Sequence, residues 1–123
     1  MINFGIGVDI ENIERFKTLD KSILNKIFTK NEINYCFSKK EPSLHLAARF
    51  SGKEAIFKAL NSIIDLKFNY KEIEILNDLK GAPYVVINKK QKNVKDLLIK
   101  ISLSHCNDKS IAFVIISKVN YEK

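Results

Sequence analysis

Residues 2–10 alternate without a break, with Ile2, Phe4, Ile6, Val8 and Ile10 on one phase and Asn3, Gly5, Gly7 and Asp9 on the other. This is the period-2 pattern of a half-buried strand. A glycine pair weakens a strand, so its presence on one face predicts close approach of another backbone or of a ligand there. Asp9 then leaves the strand end on that bare face. Two readings of it stand level: a carboxylate placed for a ligand, or, after a bulge, the cap of a helix beginning near Asn12.

Downstream, Ile13 and Phe16 sit three apart, as on one face of a short helix that leaves Glu11, Glu14 and Arg15 nearer solvent. Asp20 has the position of an N-cap for a second helix with Ile23, Leu24, Ile27 and Phe28 inward, and Thr29 to Glu32 has capping-box spacing for a third helix ending near Phe37. Ser38 to Pro42 is a break. Ser43 is expected to cap the longest helix, which runs to about Asn61 or Ser62 with Leu46, Ala47, Phe50, Phe57 and Ile64 as its apolar stripe. The remainder reads as strands. Lys71 to Leu76 alternates, Asn77 to Gly81 is turn chemistry, and Pro83 to Ile87 returns. A short polar helix near Val94 to Leu98 is expected next, then a strand carrying Ile99, Ile101, Leu103 and His105 on one face, then a turn at Cys106 to Lys109. Ile111 to Ile116 is apolar on both phases, the pattern of a strand covered on both sides. Helices first and a meander of strands later make an α+β domain.

Within the long helix Glu54 falls in the apolar stripe, four residues after Phe50 and three before Phe57. An unpaired carboxylate buried there would cost several kcal/mol, so something must compensate it. Helix geometry favours an i,i+4 salt bridge to Lys58; Arg49, Lys53 or a metal ion are the alternatives.

Length and charge narrow the classes. At 123 residues the chain is expected to form one domain, 1–123, burying about two thirds of the surface its unfolded form exposes. The formal charge of +7 attracts anions. No apolar run reaches the roughly 18 to 20 residues that span a bilayer, and Met1 to Phe4 lacks the charged start of a signal peptide. The expectation is a soluble, cytoplasmic protein without a membrane role. Cys36 and Cys106 have no metal spacing and read as free thiols; Lys89 to Lys92 reads as a solvated run. Ser104 and His105 are strand neighbours pointing to opposite faces, which excludes a nucleophile and its base. Neither a GxxxxGK[ST] phosphate loop nor a GxGxxG fingerprint occurs. What stands out is a pair of oddly placed carboxylates, Asp9 and Glu54, in a basic protein. One or two carboxylates completed by substrate phosphates is how Mg²⁺ is commonly held.

Several segments together resemble the holo-acyl-carrier-protein synthase family of 4′-phosphopantetheinyl transferases. They are Gly5 to Ile10 with Ile13, Arg15 and Phe16; Phe28 and Thr29 to Glu32; Ala48-Arg49-Phe50, Lys53-Glu54-Ala55 and Lys58-Ala59-Leu60; Gly81-Ala82-Pro83; and Ser102 to His105. The ordered set spans nearly the whole chain. Two places depart from the family's pattern. Asn61 to Asp65 stands where many members have a glycine-containing loop, and Ser51-Gly52 precedes Lys53, where Gly52 costs about 1 kcal/mol and so implies a close packing contact.

The resemblance implies the family's fold, a small antiparallel sheet packed with a long helix and short helices, assembled as a homotrimer with active sites between subunits. It implies transfer of 4′-phosphopantetheine from coenzyme A to a serine of apo-acyl carrier protein in fatty acid biosynthesis, releasing adenosine 3′,5′-bisphosphate. Asp9 and Glu54 then correspond to Mg²⁺ ligands, which reverses the preference for a Glu54–Lys58 pair. Lys58 would still pair with Glu54 or help position the phosphates. Arg49, Lys53, His105 and the Gly81 to Pro83 turn correspond to coenzyme A contacts, and Arg15 to a position that meets the acidic carrier. A small basic nucleic-acid-binding domain is the competing reading. Against it, Arg15 and Arg49 are the only arginines and the aromatics lie on apolar stripes.

Overall fold

The computed structural model describes residues 2–65, 67–88, 94 and 96–119. Strand β1 (Ile2–Asn12) leads through a 3₁₀ turn (Ile13–Phe16) into helices α1 (Lys21–Ile27), α2 (Lys30–Phe37) and α3 (Pro42–Asn61). A second 3₁₀ turn (Tyr70–Glu72) precedes strands β2 (Ile73–Asn77), β3 (Pro83–Ile87), β4 (Leu97–His105) and β5 (Lys109–Val119). The α+β expectation holds, though the described strands form two antiparallel sheets instead of one: β1-β5-β4, and the β2-β3 hairpin. No helix among the described residues is long and apolar enough to cross a membrane.

Helix α3 is the axis of the molecule. Ala55, Ile56, Ala59 and Leu60 on its C-terminal half pack with Ile73 and Ile75 of β2 and with Ala112, Val114 and Ile116 of β5. Leu46, Ala47 and Phe50 on its N-terminal half close a second core with Ile13, Phe16, Leu24, Phe28 and Cys36. Its start differs from expectation. Pro42 takes the first turn, where its missing N–H costs nothing, and Glu41 occupies the cap position without a side-chain bond, so Ser43 is already inside the helix. Gly52 gives Ile75 its place: a Cβ there would meet the Ile75 Cδ1 at 2.5 Å.

The N-terminal strand turns its bare face to α3. A Cβ on Gly5 would overlap the carbonyl oxygen of Ala59, and one on Gly7 that of Ala55. Both glycines are therefore required by the same contact with the helix backbone. Its consequence runs against the simplest reading of the alternation. Phe4, Ile6, Val8 and Ile10 face away from the helix, with Ile6 67% exposed, and Ile111, Phe113 and Ile115 of β5 and Leu98 of β4 extend this apolar face. β5 is thus covered on one side only within a single chain.

Other local expectations fared unevenly. Asp20 caps α1 by accepting from the Ile23 amide at 2.9 Å, but Ile23 itself is 39% exposed while Leu24 and Phe28 point inward. The Thr29–Glu32 capping box is present. Tyr70 to Glu72 is a 3₁₀ turn, so β2 starts at Ile73 and not at Lys71. Asn12 extends β1 and no helix is capped by Asp9. Both cysteines are free, Cys36 buried and Cys106 exposed. Of the helix expected at Val94 to Leu98, Val94 and Asp96 are in 3₁₀ conformation, residue 95 lies outside the described residues, and Leu97 and Leu98 already belong to β4; Lys89 to Lys92 lie outside the described residues as well.

Gly7→Ala tests the strand–helix contact. The added methyl meets a helix backbone that cannot move aside, so a loss of about 3 kcal/mol or more is expected in denaturant unfolding. Gly81→Ala, in an open turn at φ +88°, is expected to cost roughly 1 kcal/mol.

Candidate functional site

The inward phase of β1 continues past its glycines as Asp9 and Glu11. A strand advances about 6.6 Å in two residues and a helix about 6 Å in four, so Gly5 opposite Ala59 and Gly7 opposite Ala55 bring Asp9 to the next turn of α3 toward its start. Asp9 Oδ1 pairs with Lys58 Nζ at 3.2 Å, and Lys58 also donates to the Val8 carbonyl at 2.9 Å. This corrects the helix-based expectation. Lys58 reaches across to the strand instead of along its own helix to Glu54. Asp9 Oδ2 is buried with no hydrogen-bond partner.

Glu11 shows what crowding acids does. Burial first, then the adjacent Asp9 carboxylate, push its carboxyl up to about 7, with Glu54 adding and Arg15 opposing. Glu54 projects from α3, and the Tyr70 hydroxyl donates to its Oε2 at 2.5 Å. Burial and that bond push the Tyr70 phenol up to about 12.

The basic residues separate into two kinds. Lys53 is fully buried; its ammonium pairs with Glu32 at 2.8 Å and donates to the carbonyls of Ile27, Tyr70 and Ile73 at 3.0, 2.7 and 2.6 Å. Burial pulls its pKa down and Glu32 pulls it back. It does not reach the surface, so its expected contact with coenzyme A is not what this geometry offers. Arg49 is also buried, donating to Asn77 Oδ1 and lying over the Tyr35 ring at 4.3 Å. The Asn77 amide donates to the Gly81 carbonyl at 2.9 Å, and Pro83 pairs with Asn77 in the hairpin, so Arg49, Gly81 and Pro83 come together. His105 is exposed at the end of β4, in the sheet row Glu11–Ser110–His105. Two strand spacings put it about 10 Å from Glu11. His45 stands between this group and α2, its pKa lowered by burial and then by the charges of Arg49, Lys39 and His105. Arg15 is about half exposed, paired with Glu11 at 2.7 Å and stacked near the Phe16 and Phe50 rings.

Glu11, Tyr70 and Asn77 were not singled out from the sequence. Glu11 had a signal, since it lies two residues after Asp9 on the same strand phase. Tyr70 had none, being brought to Glu54 only by the fold.

The donors suit a hard divalent cation. Asp9 offers an orphaned buried oxygen, Glu54 lies on the facing helix, and the charges of Asp9 and Glu54 add to burial in raising the Glu11 carboxyl. Among the described residues no three His, Cys, Asp or Glu side chains converge as a complete cage. A carboxylate pair is nevertheless an ordinary Mg²⁺ donor set, because this ion takes its remaining ligands from water and phosphate. A groove of about 840 Å³ runs past Phe16, Leu19, Leu24, Leu46 and His105, and a hollow of about 500 Å³ lies at Lys26, Tyr70 and Lys71. Neither includes Asp9 or Glu54.

Comparison with known proteins gives the site its context. The model of the 4′-phosphopantetheinyl transferase superfamily matches residues 5–114. A holo-[acyl-carrier-protein] synthase of Protochlamydia amoebophila is 41% identical over 119 residues, covering 93% of this chain and 98% of that protein. One from Thermodesulfovibrio yellowstonii is 43% identical over 120 residues, covering 92% and 97%. Among solved structures, the Helicobacter pylori holo-[acyl-carrier-protein] synthase in complex with coenzyme A is similar at a TM-score of 0.76 and 29% identity, over 90% of this chain and 98% of that one. The Bacillus anthracis synthase in complex with CoA (3′,5′-ADP) is similar at 0.79 and 27%, over 94% and 96%.

The raised Glu11 carboxyl predicts a pH signature in the metal-free protein. Between its ordinary value of 4.5 and its folded value of about 7, the folded chain holds a proton that the unfolded chain has released. Stability from this source is present at the acid end and falls as pH rises through that window. Glu11→Gln is expected to flatten the melting-temperature profile between pH 4.5 and 7; identical profiles would remove the assignment.

Proposed function

The chain belongs to the holo-[acyl-carrier-protein] synthases of the 4′-phosphopantetheinyl transferase superfamily, and from that membership we propose the reaction in detail: 4′-phosphopantetheine passes from coenzyme A to a serine of apo-acyl carrier protein, releasing adenosine 3′,5′-bisphosphate, with Mg²⁺ as cofactor and in the cytoplasm. The observation that carries the reading is the orphaned Asp9 oxygen, set by β1 near the α3 helix that carries Glu54. Asp9 and Glu54 would hold the ion, which when bound supplies charge neutralisation at the pyrophosphate and polarises the attacked phosphorus. Lys58, more than half exposed beside Asp9, would meet a phosphate oxygen. The serine proton goes to a water held by Asp9 or Glu54. Lys53 is reassigned from coenzyme A binding to holding α1, the second 3₁₀ turn and β2 together.

The remaining contacts fit a homotrimer whose active sites lie between subunits. Arg49 and Glu54 are five residues apart on α3, hence about 140° apart around it, so the group of Arg49 and the Gly81–Pro83 turn does not face Glu54 of its own chain. It would serve the coenzyme A phosphates of a neighbour's site. The apolar outer face of β1, β5 and β4 supports such an assembly, since a patch of this kind on a free monomer is unusual. Arg15 and the +7 charge suit an acidic carrier protein.

The test is the intact mass of apo-acyl carrier protein after incubation with the protein, coenzyme A and Mg²⁺. A gain of one phosphopantetheine that a chelator abolishes is expected. Glu54→Gln is expected to stay folded and to lose roughly a hundredfold or more of the rate; unchanged turnover in that variant would remove the metal assignment. Sedimentation equilibrium is expected to give the mass of three chains, and Ile6→Asp to reduce it. The mass of one chain for the unaltered protein would contradict the trimer.

A further inference from the structure

Within the acidic group Glu11 has Arg15 and Asp9 has Lys58, whereas Glu54 has no salt bridge among the described residues. Its bond is to Tyr70, whose hydroxyl donates to Oε2 at 2.5 Å. Tyr70 is fastened independently of that bond. Its backbone carbonyl accepts from the buried Lys53 ammonium at 2.7 Å, and its ring packs between Phe50 and Phe57, with centroids 5.6 and 5.3 Å away. Phe50, Lys53 and Phe57 all belong to α3, the helix that also carries Glu54. The phenol is therefore aimed by three contacts in which the carboxylate takes no part. Without it, Glu54 would be an unrestrained helix carboxylate with Lys58 at i+4, its ordinary partner.

We propose that Tyr70 is the positioning residue for Glu54: the hydroxyl takes Oε2, keeps the carboxylate from turning to Lys58, and leaves Oε1 as the oxygen available to the divalent cation. This rests on the reading of Glu54 as a metal ligand. It also gives Lys53 a part in the site through another residue, since the Lys53–Glu32 pair holds the backbone that carries the phenol. Outer partners that orient a ligating carboxylate typically change metal affinity by about 10- to 100-fold when removed.

Tyr70→Phe removes one oxygen and retains the ring contacts. Mn²⁺ binding in the presence of coenzyme A and without carrier protein, read from the free-ion paramagnetic resonance signal, is expected to weaken about tenfold. The Mg²⁺ concentration for half-maximal transfer is expected to rise by the same factor, with the Michaelis constant for coenzyme A at saturating Mg²⁺ unchanged. Tyr70→Leu removes the ring packing as well, and should lower the melting temperature further while weakening ion binding no more than Phe does. Wild-type binding with equal affinity in Tyr70→Phe overturns the proposal alone. A loss of affinity that grows from Phe to Leu in step with the loss of melting temperature also overturns it, because that pattern marks packing and not the hydroxyl. A wild-type protein that binds no Mn²⁺ in the presence of coenzyme A overturns the reading of the site together with the proposal.

Discussion

The contact between β1 and α3 decides the rest of the molecule. Gly5 and Gly7 rest on the carbonyls of Ala59 and Ala55 with no room for a side chain on either strand residue. Because the strand lies this close, the next inward residues, Asp9 and Glu11, are forced toward the side chains of the helix, where Lys58 meets Asp9 and the Glu54 charge acts on Glu11. The same contact turns Phe4, Ile6, Val8 and Ile10 outward. A strand with an ordinary apolar inner face would bury these residues and stand farther from the helix. It would have neither the acidic group nor the bare apolar sheet surface.

A second constraint sits inside α3. Glu32 closes the α2 capping box through the Thr29 amide, accepts from the Ile75 amide at 2.9 Å, and pairs with Lys53, all in a fully buried place. Burying two charges costs several kcal/mol per ion before their attraction is counted, and the arrangement is tolerable because the polar atoms around them are supplied with partners. Lys53 finds three carbonyls and Glu32 two amides. These carbonyls belong to the end of α1, the second 3₁₀ turn and the start of β2, so one ammonium fastens three segments to the helix. Glu74, also buried, accepts from the Thr29 hydroxyl at 2.6 Å and extends the polar seam.

Local signals in the sequence carried far where the physics is local. The strand at residues 2–10, the Thr29–Glu32 capping box, the Asp20 cap and the β2-β3 hairpin all follow from spacing and cap chemistry, and the glycine pair announced a close approach whose partner is the α3 backbone. Failures came where tertiary packing chose between equivalent options. Alternation in β1 says that two faces differ but not which is inward, since an apolar face can as well serve another subunit. Glu54 and Lys58 have ideal helix spacing, yet Asp9 and the Val8 carbonyl lie closer to the ammonium. Lys53 and Lys58 look alike in the sequence. One is buried at the centre of the fold and the other stands beside the acids, and only the position of Glu32, twenty-one residues earlier, separates them.

The charge pattern bears on why a cation belongs to the proposed reading. A coenzyme A pyrophosphate brought to the acidic group meets Asp9, Glu54 and, when ionised, Glu11. At about 5 Å and an effective dielectric constant near 20, each such like-charge pair is unfavourable by about 3 kcal/mol. Lys58 and Arg15 are single charges already engaged by Asp9 and Glu11, so they do not offset several such pairs. Burial first, and the Asp9 and Glu54 charges after it, hold the Glu11 carboxyl up to about 7, so it keeps a proton sooner than add another negative charge. An anionic substrate cannot relieve that crowding of carboxylates. On the proposed reading Asp9 and Glu54 would hold a divalent ion, whose charge would turn the same acids from an obstacle to the substrate phosphates into their anchor.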